Sequence, residues 1–136
     1  MSYGGYLLKV GSYTIDGTKY INYASYKATK NIQDLDSYRD ASGVLHRTAL
    51  SHAPIKIEFE TREGLTNDEL GTFMSNIRSN YTNAAERCAS VTAFIPELND
   101  YVTQDCYMPD PQFTIRKIDT NNVVTYEKTR IAFIGY

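Results

Sequence analysis

Alternating apolar and polar residues mark one strand clearly in this sequence. From residue 55 to 61, Ile55, Ile57 and Phe59 alternate with charged residues, which are Lys56, Glu58 and Glu60. A period of two is typical of an antiparallel strand that has one face on a core. Further strand-like runs cover 6–10, 44–50, 91–95, 101–108, 113–118 and 123–136.

A different periodicity predicts one helix, from about 67 to 80. Thr66 and Glu69 have the spacing of a capping box, in which each side chain bonds the other residue's backbone N–H. The apolar residues that follow recur every three or four positions, as on one face of a helix. They are Leu70, Phe73, Met74, Ile77 and Tyr81.

Two connections complete the pattern. Asp16-Gly17 lies between extended runs at 13–15 and 19–26, and it predicts a β-hairpin because glycine readily adopts a positive φ. The segment 29–43 is polar and has little periodicity, which predicts a long loop that is functional or partly disordered. We expect Ile32, Leu35 and Tyr38 to anchor this loop, and another subunit could be the anchoring surface.

These elements predict a mainly β fold with one flanking α-helix. The expected architecture is an antiparallel β-sandwich or a partly closed β-barrel, and residues 1–136 form a single domain. The chain has 136 residues, 42% of them hydrophobic. That length supports a core without disulfides or metal.

Charge and composition exclude several functional classes. The net charge is −2, without the basic excess that nucleic-acid binding usually needs. No apolar run is long enough to span a bilayer, and the N-terminus lacks the features of a signal peptide, so we expect synthesis in the cytoplasm without export and no membrane partner. The 12 tyrosines and the absence of tryptophan favour contact surfaces over chemistry.

The candidate chemical groups do not form a recognisable site. His46 and His52 could share a strand face but lack further ligands nearby, and the aspartates at 34, 36 and 40 lack the glycine and glutamate of a calcium loop. Cys88 and Cys106 are expected to be reduced and partly buried. We therefore expect no enzyme activity, no metal and no cofactor.

Two stretches carry a resemblance to a known family. Residues 34–47, DLDSYRDASGVLHR, and residues 126–136, YEKTRIAFIGY, are similar to small tail structural proteins of long-tailed bacteriophages and prophages. The shared pattern also includes LLKVG, KIEF, a helix after LT, and IPELNDYVT, so it covers nearly the whole chain. It implies a tail-tube-like fold in six-fold rings, either the tail tube or a distal-tail or baseplate ring beside the tape measure protein.

The resemblance implies a subunit of the virion tail that forms a channel for DNA, with other tail proteins as partners and no specific DNA recognition. A ring protein is expected to have long edge strands that pair with its neighbours. The alternatives are a monomeric β-sandwich module that binds a glycan or protein, and a small enzyme with an unrecognised site. The residues expected at the subunit interface are Asp36, Tyr38, Arg39, His46, Arg47, Glu58 and Glu60.

Overall fold

The computed structural model describes residues 3–31 and 34–136, and the predicted loop anchor Ile32 lies outside them. The strands are β1 (Leu8–Val10), β2 (Tyr13–Thr14), β3 (Lys27–Lys30), β4 (Asp34–Arg39), β5 (Leu45–Ala49), β6 (Ile55–Glu60), β7 (Cys88–Ile95), β8 (Asp100–Tyr107), β9 (Ile115–Ile118), β10 (Val124–Tyr126) and β11 (Arg130–Gly135). The helices are α1 (Gly17–Tyr20), a 3-10 turn (Tyr23–Ser25) and α2 (Asn67–Arg78).

Seven strands form one antiparallel sheet in the order β2-β1-β7-β8-β11-β6-β3. The sheet curls, as the contacts of the Tyr26 hydroxyl, just before β3, show. This hydroxyl donates to the Phe94 carbonyl in β7 at 2.7 Å and lies 3.3 Å from the Leu7 carbonyl beside β1. This brings the last strand back towards the other end of the sheet. The predicted mainly antiparallel β class with one flanking helix is confirmed.

The core lies between the inner face of this sheet and α2. Alternate residues of β6 and β7 point inward, and α2 contributes Leu70, Phe73, Met74 and Ile77. The capping box predicted for Thr66 and Glu69 is present. The strand at 55–60 and the helix therefore form where the sequence predicted them.

The predicted hairpin at Asp16-Gly17 is wrong. The Asp16 carboxylate accepts the Thr18 N–H at 3.1 Å and caps α1, so the chain turns into a helix. The segment 19–26, predicted as a strand, contains the end of α1 and the 3-10 turn. An aspartate is favourable both in a hairpin turn before glycine and as the N-cap of a helix, and in this structure Asp16 is an N-cap.

Three further expectations are corrected by the structure. Within the predicted loop 29–43, residues 34–39 form β4, which pairs with β5 in a separate two-stranded sheet. The closing run 123–136 is divided into β10 and β11. The edges of the main sheet are not long, since β2 has two residues and β3 has four.

Candidate interaction surface

The two-stranded hairpin of residues 34–50, which we call the arm, is the most unusual feature of the fold. It consists of β4, a turn and β5, and every residue from 34 to 52 is exposed. At its base the Asn31 N–H donates to the Pro54 carbonyl at 2.8 Å, so the segments that enter and leave the arm are neighbours. The arm therefore stands apart from the core and packs mainly on itself.

An ion pair fastens the arm near its base. Arg47 donates from Nη2 to Asp34 Oδ1 at 2.8 Å and from Nε to Asp34 Oδ2 at 3.0 Å. The Ser37 hydroxyl also donates to this carboxylate at 2.7 Å. These bonds, that of Arg47 first, lower the pKa of Asp34. Asp34 was not among the predicted interface residues, because its distance from Arg47 in the sequence conceals the cross-strand pair.

The other end of the arm is held by Asp40. Its carboxylate lies 2.9 Å from His46 Nε2 and accepts the backbone N–H of Val44 at 3.0 Å, and these contacts, that with His46 first, lower its pKa. The ring of Tyr38 stacks on His46 with centroids 5.0 Å apart. Arg39 donates to the Gly43 carbonyl at 2.9 Å, across a turn where Gly43 has a φ of +83°.

The apolar side chains of the arm are strongly exposed. Leu35 is 72% exposed, Tyr38 58% and Val44 55%, and Leu45 and Leu50 are also exposed. A hairpin of two strands is marginally stable in water by itself, because it has no core to bury its apolar residues. Exposed apolar residues grouped on one element are typical of surfaces that bind another molecule, so the arm is the candidate interaction surface.

Glu58 and Glu60 lie on a different surface, the outer face of β6. Arg130 in β11 donates to Glu58 Oε2 from Nη2 at 2.6 Å and from Nε at 2.9 Å, which lowers the pKa of Glu58. Both glutamates border an open groove of about 430 Å³, which Lys27 and Arg130 also line. Of the predicted residues, the structure places Asp36, Tyr38, Arg39, His46 and Arg47 on the arm, and leaves these two on the main sheet.

The histidines and cysteines have separate environments. His46 contacts Asp40, whereas His52 bonds the Tyr136 carbonyl. Cys88 and Cys106 are both free thiols, as predicted, and Cys106 is buried. Among the described residues, no group of three or more potential metal ligands is close enough to hold an ion. None of the described helices has the length and hydropathy needed to cross a bilayer.

A second hairpin, formed by β9 and β10, also exposes apolar residues. Ile115 is 52% exposed and Ile118 is 60% exposed. The sequence did not reveal this surface, because the strand-like run 113–118 does not show whether its apolar residues face a core or solvent. Within residues 3–31 and 34–136, two hairpins outside the main sheet thus carry exposed apolar side chains.

Comparison with known proteins assigns the chain to a family. Residues 1–136 match the model of DUF6711, described as a family of unknown function, and the chain belongs to that family. No curated protein and no solved structure matches the chain.

Proposed function

We propose that this chain is a structural subunit of a bacteriophage tail that assembles with copies of itself into rings through the arm. The resemblance described above implies six subunits in a ring, which belongs to the tail tube or to a distal-tail or baseplate ring. The protein is then made in the cytoplasm of the host bacterium and resides in the virion, beside other tail proteins that include the tape measure protein. Its role is architectural, without catalysis.

One observation carries this proposal: the arm exposes apolar side chains on a hairpin that has no core of its own. Burial of apolar area contributes roughly 25 cal/mol per Å². Side chains such as Leu35 and Tyr38 therefore gain free energy when another chain covers them. The edge strands of the main sheet are less suited to pairing with another subunit. β2 is very short, and β3 carries Lys27 and Lys30, which discourage edge pairing.

The charge of the chain fits a channel through which DNA passes. Fixed cations along a lumen would hold phosphate groups by electrostatic attraction. The chain has a net charge of −2. Two of its arginines, Arg47 and Arg130, are neutralised by Asp34 and Glu58. A ring of such subunits would pass DNA without binding a particular sequence.

Replacement of the arm tests the proposal. Residues 34–50 can be exchanged for a short Gly-Ser linker, because Asn31 and Pro54, on either side of the arm, are already hydrogen-bonded neighbours. We expect the wild-type chain to form rings in native mass spectrometry, and the armless variant to be a folded monomer with a similar melting temperature. Assembly of the armless variant at the wild-type concentration would exclude the arm as the interface.

A pair of charge variants provides a finer comparison. Arg39→Glu changes the arm, whereas Arg62→Glu makes the same change of charge at an exposed arginine near Tyr23 on the main body. We expect Arg39→Glu to weaken ring formation and Arg62→Glu to leave it unchanged. A wild-type chain that stays monomeric at high concentration would contradict self-assembly and would favour the alternative, a monomeric binding module.

A further inference from the structure

A cavity of about 460 Å³ lies beside the C-terminal end of α2, and its lining residues belong neither to the arm nor to β6. Its apolar wall includes Met74, Tyr81, Pro111 and Phe113. Two arginines, Arg78 and Arg87, also line it. Cavities of this size and composition suit a small apolar group that carries a negative charge.

The cavity has an excess of positive charge. Arg87 forms an ion pair with Asp110 at 3.2 Å, but the Asp110 side chain is 86% exposed, so solvent weakens this contact. Arg78 makes no ion pair within residues 3–31 and 34–136. One guanidinium is thus available to a carboxylate that enters beside the apolar wall.

The arm presents a matching pair of side chains. Leu35 is its most exposed apolar residue, and Asp36 follows it directly at the irregularity of β4 between Asp34 and Ser37, where the regular alternation of side chains between the two faces is interrupted. The carboxylates of Asp34 and Asp40 are already bonded to Arg47 and His46. The Asp36 carboxylate has no such partner within the described part of the chain, which makes it the arm's available acid.

We propose that the cavity beside α2 receives Leu35 and Asp36 from the arm of a second copy of this chain. Leu35 packs on the apolar wall, and the Asp36 carboxylate pairs with Arg78. The inference rests on the proposed assembly through the arm and adds the surface that accepts it. Because the arm and the cavity are different patches, the contact is head-to-tail, and repetition of such a contact closes a ring when its rotation permits.

The charge balance favours a second copy over an unrelated basic or neutral partner. Residues 34–50 contain three aspartates and two arginines, so the arm has a small acidic excess when His46 is neutral. The cavity has two arginines against one rim aspartate. Opposite charges on the two patches steer their encounter and fix their register.

Two variants of the chain, each of which keeps only one of the two docking surfaces, test the proposed contact directly. The first is the armless variant, which keeps the cavity. The second is the full chain with Arg78→Glu and Arg87→Glu, which keeps the arm but reverses the cavity's charge. Neither can assemble with itself through the proposed contact, and together we expect them to form a 1:1 heterodimer in sedimentation velocity.

The heterodimer also allows the contact to be dissected. In the arm-bearing chain, Leu35→Ser or Asp36→Arg should weaken the complex at least about tenfold, which corresponds to about 1.4 kcal/mol. Arg62→Glu in the same chain is the matched control and should leave the affinity unchanged. Added salt should weaken the wild-type contact, because it screens the pair of charges.

The outcomes distinguish this inference from the proposed function. Absence of the heterodimer while the wild-type chain forms rings would overturn the docking site and leave ring assembly in place. A heterodimer without wild-type rings would support the docking site and contradict the ring. A heterodimer that is insensitive to Leu35→Ser and Asp36→Arg would also overturn the proposed contact. Circular dichroism of each variant confirms that it is folded before its binding is compared.

Discussion

Thr66 and Glu69 determine where the long helix begins. The Thr66 hydroxyl accepts the Glu69 N–H at 3.3 Å, and Glu69 Oε1 accepts the Thr66 N–H at 3.2 Å. Both bonds satisfy backbone donors that would otherwise have no partner at the start of the helix. Because α2 covers the core, loss of this cap is expected to destabilise the whole fold.

We expect Thr66→Ala to reduce the free energy of unfolding by about 1 kcal/mol, the usual cost of a lost N-cap. Urea denaturation measures this change. Thr72→Ala is the matched control, because Thr72 is exposed in the middle of the same helix. Equal effects of the two substitutions would show that the cap makes no special contribution.

The two cysteines should differ in reactivity. Cys106 is fully buried, and burial raises the pKa of its thiol to about 12, with smaller contributions from Cys88 and Asp105. The thiolate is the reactive form. At neutral pH we therefore expect maleimide to modify the half-buried Cys88 first and Cys106 only after unfolding, as measured by mass spectrometry of peptides. Rapid labelling of Cys106 in the folded protein would contradict this burial.

Residues also show where prediction from the sequence fails. Asp16 was expected to open a hairpin, and its carboxylate instead caps a helix of four residues. The same side chain can satisfy either turn, and tertiary contacts decide between them. Arg130 and Glu58, far apart in the sequence, form an ion pair because β11 and β6 are neighbours, and strand order cannot be read from periodicity.

At the scale of elements, prediction succeeded where one face is buried. β6 and α2 were predicted correctly because each packs one face on the core. The residues on that face are apolar, and their spacing in the sequence shows the period of a strand or a helix. β4 has no buried face and its sequence is polar, so it was predicted as loop, whereas β5, which is equally exposed, was predicted from the strand-like run at 44–50. The cavity beside α2 was not predicted, because it combines the helix with distant segments around Arg87 and Phe113.

The arm should be the least protected element of the isolated subunit. Its strands pair only with each other and are exposed throughout, so local opening costs little free energy. In hydrogen exchange, we expect amides of 34–49 to exchange much faster than those of β6 and β7 in the monomer, and to become protected in the ring. Unchanged exchange in the arm upon assembly would contradict its burial at the interface. The amides of β7 are the internal control, because assembly should not alter them.

For the whole molecule, the curled sheet and α2 form a closed body that needs no partner. The Tyr26 hydroxyl helps to close it, and the inner faces of β6, β7 and β11 are buried. The arm and the β9–β10 hairpin lie outside this body and carry the most exposed of its large apolar side chains, whereas Tyr23, Leu98 and Tyr136 are exposed on other segments. In the assembly proposed here, the closed body is the folded unit and a projecting hairpin, the arm, supplies the contact with the next subunit.

The most direct measurement is imaging of the purified wild-type chain by negative stain at increasing concentration, with native mass spectrometry of the same samples. Assembly through the arm predicts rings with six-fold end views and a mass of six chains, and stacked rings would favour the tail tube over a single distal ring. A chain that remains a monomer at every concentration would contradict the proposed self-assembly into rings.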